Sequence, residues 1–373
     1  MEQALSDTQV MVRDSLARFL ADTYGFEARV RGLDKAAEQV PPYWRGMAGD
    51  LGILGASFPE AQGGLDGGPA DNQVILEVLG SALAAEPYLS TVVIGGGLLR
   101  GATSPWADAL RSRIIEGAAI VAFAHRAPGA REGQADEATT LTVAPGGWRL
   151  SGTKSLVFNA PWATHLAVTA RNAATGGVAV AFIERSAPGI TTRPYRTVDG
   201  GAAAELRFDD VVVPAEAVIG ADADASALLQ QVLDEATLGV CAEAIGVLER
   251  LLADTVAYTS QRKQFGVAIA SFQALQHRMA DMFIALEAAR ALTRETVASL
   301  GAAAPERARA VSSAKVAVSK ACKVVGQGAI QLHGGMGMTE ELAVGHYFRR
   351  ATVIESLYGT VDFHLHRIAQ LRA

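Results

Sequence analysis

The chain has 373 residues, 50% of them apolar and 19% charged, a length that suits two or three domains with cores of their own and a composition that excludes general disorder. Its 38 glycines and 13 prolines follow no repeat, which excludes collagen-like and low-complexity chains. A formal net charge of −6 without any basic run excludes most nucleic-acid binders, which need cations to displace phosphate counterions. The two cysteines, Cys241 and Cys322, are far apart with small or apolar neighbours, so neither a disulfide framework nor a cysteine-based zinc site is expected. Met1 to Asp7 lacks the basic start and apolar core of a signal peptide, and no apolar run approaches the ~18 residues of a membrane span. A soluble, cytoplasmic protein is expected.

Residues 1–117 are mostly helical by period, interrupted by the loop Pro59-Glu60-Ala61-Gln62-Gly63-Gly64. From about 118 to 222 short β-rich runs recur: 119–123, 139–143, 148–150, 166–168, 178–183 and 205–213. Turn signals separate them, among them Ala144-Pro145-Gly146-Gly147 and Ala174-Thr175-Gly176-Gly177, as in a small antiparallel barrel or sandwich. All but one of the 13 prolines lie at or before Pro214. The Pro-poor, Ala- and Leu-rich remainder therefore predicts long helices, with Pro305 in one inter-helix turn. Leu229, Val232, Leu233, Ala236, Val240, Ala244, Val247 and Leu251 trace one face of the first; further helices are expected over 272–300, 306–332 and from Val353 to the end. The expected architecture is mainly α with a β middle: an N-terminal helical domain (1–117), a β domain (118–222) and a C-terminal four-helix bundle (223–373).

Several short motifs carry little chemistry. Gly95-Gly96-Gly97-Leu98-Leu99-Arg100-Gly101 puts Arg100 where a dinucleotide fingerprint needs its third glycine, so a helix junction is the plainer expectation. Gly152-Thr153-Lys154-Ser155 lacks the leading glycine spacing of a phosphate loop. His364 and His366 stand two apart, about 200° around a helix, and cannot share one metal ion. No Gly-x-Ser-x-Gly nucleophile elbow occurs.

One constellation is different. Arg262-Lys263-Gln264-Phe265-Gly266 ends the first bundle helix, Ser271-Phe272-Gln273 opens the second, and Gln331-Leu332-His333-Gly334-Gly335 ends the third. Each alone is also the pattern of a helix cap with a salt bridge. Together they offer a forked donor for phosphate, amides for a base edge and glycines that admit a large ligand, pointing to an anionic, base-bearing ligand.

These Arg-x-x-Phe-Gly, Phe-Gln and Gln-x-x-Gly-Gly motifs resemble those of the acyl-CoA dehydrogenase family. The resemblance extends to Leu150-Ser151-Gly152-Thr153-Lys154 and to Leu206-Arg207-Phe208-Asp209-Asp210-Val211-Val212-Val213-Pro214, and so to essentially the whole chain. It implies FAD as cofactor, oxidation of an acyl-CoA substrate to the 2,3-enoyl-CoA, and an electron-transfer flavoprotein as acceptor. It also implies that Arg262, Phe265, Gln273, Gln331, Gly334 and Gly335 hold the ADP half of a neighbouring subunit's flavin, with Thr360 a further cofactor contact. An oligomer, homo- or heteromeric and usually a dimer of dimers, follows from that sharing.

The chain departs from the family where a base is needed. Removal of the α-proton calls for a positioned carboxylate. The family's Tyr-Glu-Gly-Thr motif corresponds to Leu357-Tyr358-Gly359-Thr360, with Tyr358 in place of the base. The alternative family position, in Leu-Asp-x-Glu-Arg, corresponds to Ala236 in Leu233-Asp234-Glu235-Ala236-Thr237, so Glu235, about 100° around the helix, is the remaining candidate. The flavin-facing Thr-Glu-Pro-x-x-Gly-Ser-Asp motif is reduced to Arg126-Ala127-Pro128-Gly129-Ala130-Arg131-Glu132-Gly133, and Trp-Ile-Thr-Asn becomes Leu156-Val157-Phe158-Asn159. The stretch Gly337 to Arg350 is similar to small subunits of pimeloyl-CoA dehydrogenase type and of steroid-degradation enzymes. Three functions stay open: an acyl-CoA dehydrogenase chain using Glu235, a non-catalytic partner subunit supplying FAD-binding residues in trans, and a flavin oxidase or monooxygenase of the same fold.

Overall fold

A computed structural model describes residues 5–33, 40–84, 87–100, 102–130 and 138–371. Helices α1 (Asp7–Thr23), α2 (Phe26–Leu33), α3 (Tyr43–Gly49), α4 (Pro69–Ser81), α5 (Gly96–Leu99) and α6 (Pro105–Ile115) come first. Strands β1 (Val121–Ala124), β2 (Thr140–Ala144), β3 (Gly147–Phe158), β4 (His165–Asn172), β5 (Val178–Glu184), β6 (Ile190–Arg196), β7 (Ala202–Pro214) and β8 (Val218–Ile219) follow. The remainder is α7 (Ser226–Gln261), a short hairpin of β9 (Lys263–Gln264) and β10 (Val267–Ala268), then α8 (Gln273–Ser299), α9 (Ala304–His333), α10 (Ala343–Ser356) and α11 (Val361–Gln370). The helical, β, helical order matches the sequence expectation.

Two compact units divide these residues, one of 29–72 and 85–236, the other of 1–28, 73–84 and 237–373. In the first, seven strands run in the order β6-β7-β3-β2-β4-β5-β8, and β1 joins β4. Pairing is antiparallel except for β1 and β2, both parallel to β4, so the sheet is mixed where an antiparallel one was expected. Strand β3 continues to Phe158, well past the expected Leu150, because bulges at Leu150/Gly152 and Lys154/Val157 let it keep pairing with β7 as it bends. Gly152, at φ +144°, lies so close to Thr139 that a Cβ would stand 2.6 Å from its Cα. Strand β6 was not anticipated: Pro194 argues against a central strand, and β6 pairs with β7 alone, at the sheet edge.

In the second unit α9 packs against α8, α10 and α11. Its glycines let neighbours approach: Gly328 faces the Met282 sulfur and Gly326 the Phe348 ring. Pro305 sits inside the first turn of α9, where its missing N–H costs nothing, rather than in the inter-helix turn the sequence predicts. The helix expected from Val353 to the end is broken in two. Tyr358 (φ +54°) and Gly359 (φ +115°) leave helical space, and Thr360 caps the new helix by accepting from the Phe363 amide.

Candidate functional site

Glu235 lies on the first turns of α7 and is 7% exposed. Both of its carboxylate oxygens are taken by one guanidinium: Arg100 Nη1 donates to Oε1 at 2.8 Å and Nη2 to Oε2. Gln231 Nε2 donates to Oε1 at 3.3 Å. The sequence singled out Arg100 only as a misfit in a glycine run. As far as Leu99 that run is helical, a π-helical stretch Leu89–Gly95 leading into α5, with no strand before it among the described residues, so it does not form a dinucleotide motif. Gly97 lies where a Cβ would stand 3.0 Å from Arg100 Nη2 and 3.1 Å from Val232, which brings the guanidinium against α7. Ala236 is fully buried.

The ligand motifs gather in the other unit. The rings of Tyr258 on α7 and His333 at the end of α9 stack with centroids 4.3 Å apart, joining the two helix ends that carry Arg262 and Gly334. Past Arg262 the chain makes the β9–β10 hairpin, whose turn holds Phe265 in a left-handed conformation (φ +55°) with its side chain 93% exposed. Phe265 meets Phe272 edge to face at 6.2 Å, and Gln273 opens α8 beside it. Arg262, Gln273, Gln331, Gly334 and Gly335 are all exposed. Neither the Arg262 guanidinium nor the Gln331 amide has a side-chain partner among the described residues.

Gly334 needs its freedom at φ +59°. Gly335 has no such φ, and no atom lies within 4 Å of where its Cβ would stand, so nothing in this chain requires a glycine there. An unfilled glycine surface beside an uncommitted Arg and an exposed aromatic suits a nucleotide diphosphate, which answers the donor set with phosphate oxygens and a planar base.

Tyr358 and Thr360 stand elsewhere. Their turn is tied to α9 near Ser312 and Lys315, and Lys315 precedes Gly334 by about 28 Å of helix at 1.5 Å per residue. Thr360 therefore lies apart from the Arg262–Gly335 cluster. Along β3, Lys154 is fully buried and donates to His125 O at 2.9 Å and Thr169 Oγ1 at 3.1 Å, so the Gly152–Ser155 stretch is strand and core, not a phosphate loop. Leu156 and Asn159 take positive φ, and Asn159 Nδ2 donates to Ser90 Oγ at 3.3 Å. Arg131, Glu132 and Gly133 lie outside the described residues. His364 is buried against Ser312 and Tyr358, while His366 meets Gln370 on the surface. Among the described residues no three His, Cys, Asp or Glu side chains group as metal ligands. The sequence pass missed Arg100 as the partner of Glu235, and it missed Lys315 and Ser312 altogether. Their partners stand 39 to 135 residues away, beyond any local pattern.

The helical, β, helical order is that of a class of flavin-using oxidoreductases, and the family follows from comparison. The acyl-CoA dehydrogenase N-terminal, middle and C-terminal domain families match residues 6–108, 128–211 and 226–371. The chain belongs to the acyl-CoA dehydrogenase family, whose cofactor is FAD. It is 29% identical over 328 residues to the short-chain specific acyl-CoA dehydrogenase of Megasphaera elsdenii, covering 84% of this chain and 85% of that one. It is 28% identical to subunit CarC of the caffeyl-CoA reductase-Etf complex of Acetobacterium woodii, over 95% of each chain. Among solved structures, a chain of the ChsE4-ChsE5 complex from Mycobacterium tuberculosis superposes with a TM-score of 0.90 at 27% identity, covering 99% of this chain and 98% of that one. PigA, solved with FAD, superposes with the same TM-score at 25% identity over the full length of both chains.

Proposed function

We propose that this chain is the non-catalytic subunit of a heteromeric FAD-dependent acyl-CoA dehydrogenase, holding the ADP half of a partner's flavin. The observation that carries the proposal is a contrast. The Arg262, Phe265, Gln331, Gly334 and Gly335 face is intact, exposed and uncommitted, while the carboxylate available as a base, Glu235, has both oxygens tied to Arg100. Buried and already accepting from Arg100 and Gln231, that carboxylate is poorly placed to reach an α-proton, and Tyr358 offers only a phenol, protonated at neutral pH when unperturbed.

In this proposal the guanidinium of Arg262 forks onto the pyrophosphate, the Gln331 amide meets the base edge, and the Gly334–Gly335 backbone approaches closely. Phe265 and Phe272 exclude water from that contact. FAD, when bound, supplies the hydride acceptor for β-carbon oxidation of the acyl-CoA. Exposed Phe283, Ile284 and Met338 extend the apolar surface over the same unit, as an interface with another subunit requires. The pairing in ChsE4-ChsE5 supports an unlike partner, and the Etf complex containing CarC supports an electron-transfer flavoprotein as acceptor. Domains of 1–117, 118–222 and 223–373 and a cytoplasmic setting complete the proposal.

Purification of the chain alone and after co-expression with a candidate partner tests it through the visible spectrum and dye-linked oxidation of acyl-CoA thioesters. Flavin bands and turnover are expected only for the pair. Bands and turnover in the isolated chain, abolished by Glu235→Gln while the flavin stays bound, would return the base to this chain. Hydrogen peroxide release without an added acceptor would point to the oxidase.

A further inference from the structure

An open groove of about 470 Å³ runs between α6 and one end of the sheet, within the roughly 300–1,000 Å³ of small-molecule sites. Ser104 caps α6 by accepting from the Ala107 amide at 3.2 Å, and Pro105 opens the helix. Trp106, Ala109, Leu110 and Arg113 then recur at the spacing of one helix face, and all four line the groove. The floor is strand. Phe182 and Glu184 stand two apart on β5 and so point to the same side, and Glu184 is in register with His165 at the start of β4. The Trp106 and Phe182 rings meet edge to face with centroids 5.6 Å apart. Pro188, Val212 and Pro214 complete the apolar lining, with Val212 61% exposed.

The polar groups of this groove are uncommitted. Among the described residues neither the Arg113 guanidinium nor the Glu184 carboxylate has a side-chain partner, and the two do not pair with each other. Both charges act on the imidazole of His165, which is 7% exposed. Its Nδ1 stands 2.8 Å from Thr164 Oγ1, and its Nε2 has no partner among the described residues. Burial and the Arg113 cation hold His165 below its ordinary value against the pull of Glu184, so the ring is neutral at pH 7. A neutral imidazole donates or accepts according to which nitrogen carries the proton, so Nε2 can serve a carboxylate or an ammonium.

We propose that this groove binds a small zwitterion with an apolar body, of the class of free aromatic amino acids, its carboxylate on Arg113, its ammonium on Glu184 and its ring on Trp106 and Phe182. A simple anion would bring its charge to Glu184 as well as to Arg113, and a simple cation would meet the reverse conflict. A ligand carrying both signs at one end satisfies both side chains, and the forked guanidinium can take its carboxylate through two parallel bonds.

The test is isothermal titration of the full chain with L-phenylalanine, with 3-phenylpropionate, which lacks the ammonium, and with phenethylamine, which lacks the carboxylate. L-Phenylalanine is expected to bind saturably and about tenfold or more tighter than either analogue. Arg113→Gln should weaken L-phenylalanine about tenfold and leave phenethylamine no weaker; Glu184→Gln should weaken L-phenylalanine about tenfold and leave 3-phenylpropionate no weaker. Both side chains are exposed, so unchanged thermal midpoints verify that the variants fold. Binding should also change tryptophan emission, and Trp106→Phe should remove that change. An analogue that binds as tightly as L-phenylalanine, an affinity for L-phenylalanine that neither charge variant lowers, or no saturation by any of the three would overturn the proposal. An emission change that survives Trp106→Phe would put the binding elsewhere and overturn the groove as its site.

Discussion

At the residue scale, two buried titratable groups decide how the ends of this chain's candidate site behave. Glu235 is a buried carboxylate whose charge is balanced by an Arg that is itself half exposed, so solvent screens part of the attraction. Removing Arg100 leaves the carboxylate in place without its cation. Arg100→Ala is therefore expected to cost about 2 kcal/mol, less than the loss from a fully buried pair because the guanidinium is half exposed, measured by urea unfolding. The double variant Arg100→Ala, Glu235→Ala should recover part of that loss, since no uncompensated charge remains. His364 sets a pH dependence. Its folded pKa, about 4, lies below the ordinary 6.5, so as pH falls the unfolded chain takes up the proton first. The stability it contributes is complete above about pH 6.5 and is lost as pH falls toward 4. Two and a half pH units at about 1.4 kcal/mol each amount to about 3 kcal/mol. Urea midpoints followed from pH 7 to pH 4 should fall more steeply in the native sequence than in His364→Gln, which has no proton to take up there.

At the element scale, helices approach one another through glycines. A Cβ at Gly80 on α4 would stand 2.1 Å from Glu243 O, and one at Gly246 on α7 would stand 1.9 Å from Glu77 O. These are backbone contacts on both sides, so no side-chain rotation relieves them. Gly80→Ala and Gly246→Ala should each cost about 3 kcal/mol, at the upper end for overpacking, visible as a lower thermal midpoint. The same crossing carries the ion pair between Glu243 and Arg350, with bonds of 2.6 and 2.7 Å. Much of the element pattern was legible in the sequence: the long helices from α7 to α9 follow from their period and from the scarcity of proline, with Pro305 taken into the first turn of α9. Strand β6 was not legible, because Pro194 is tolerated only at an edge and edge position is a property of the sheet. Nor was the break at Tyr358–Gly359. A single glycine in an apolar, helical pattern does not announce a turn whose neighbouring carbonyls, Ile354 O and Tyr358 O, are bonded by Lys315 and His364 from 39 and 6 residues away.

At the scale of the whole molecule, the proposed function has the exposed Arg262–Gly335 face meet something outside the chain. Gly335 tests this cleanly, because a side chain there meets nothing in this chain. Gly335→Val should leave the thermal midpoint of the isolated chain within about 1 °C, while lowering the flavin bound per co-expressed assembly about tenfold. Flavin retention should depend less on salt in Arg262→Ala than in Gly335→Val, since only the first removes a charge that salt can screen. Among the described residues no helix is long and apolar enough to cross a membrane.

The sequence by itself determined the helical, β, helical order and the family, because periodicity, proline placement and short motifs are local properties of a chain. It also determined that the family's base positions hold Tyr358 and Ala236. Only the tertiary structure decided what became of the one carboxylate left as a candidate. Arg100 reaches Glu235 across 135 residues, and Lys315 reaches the last carbonyls of α10 across 39 and 40. Contacts of that separation are set by which helices pack together, and no window of sequence contains both partners.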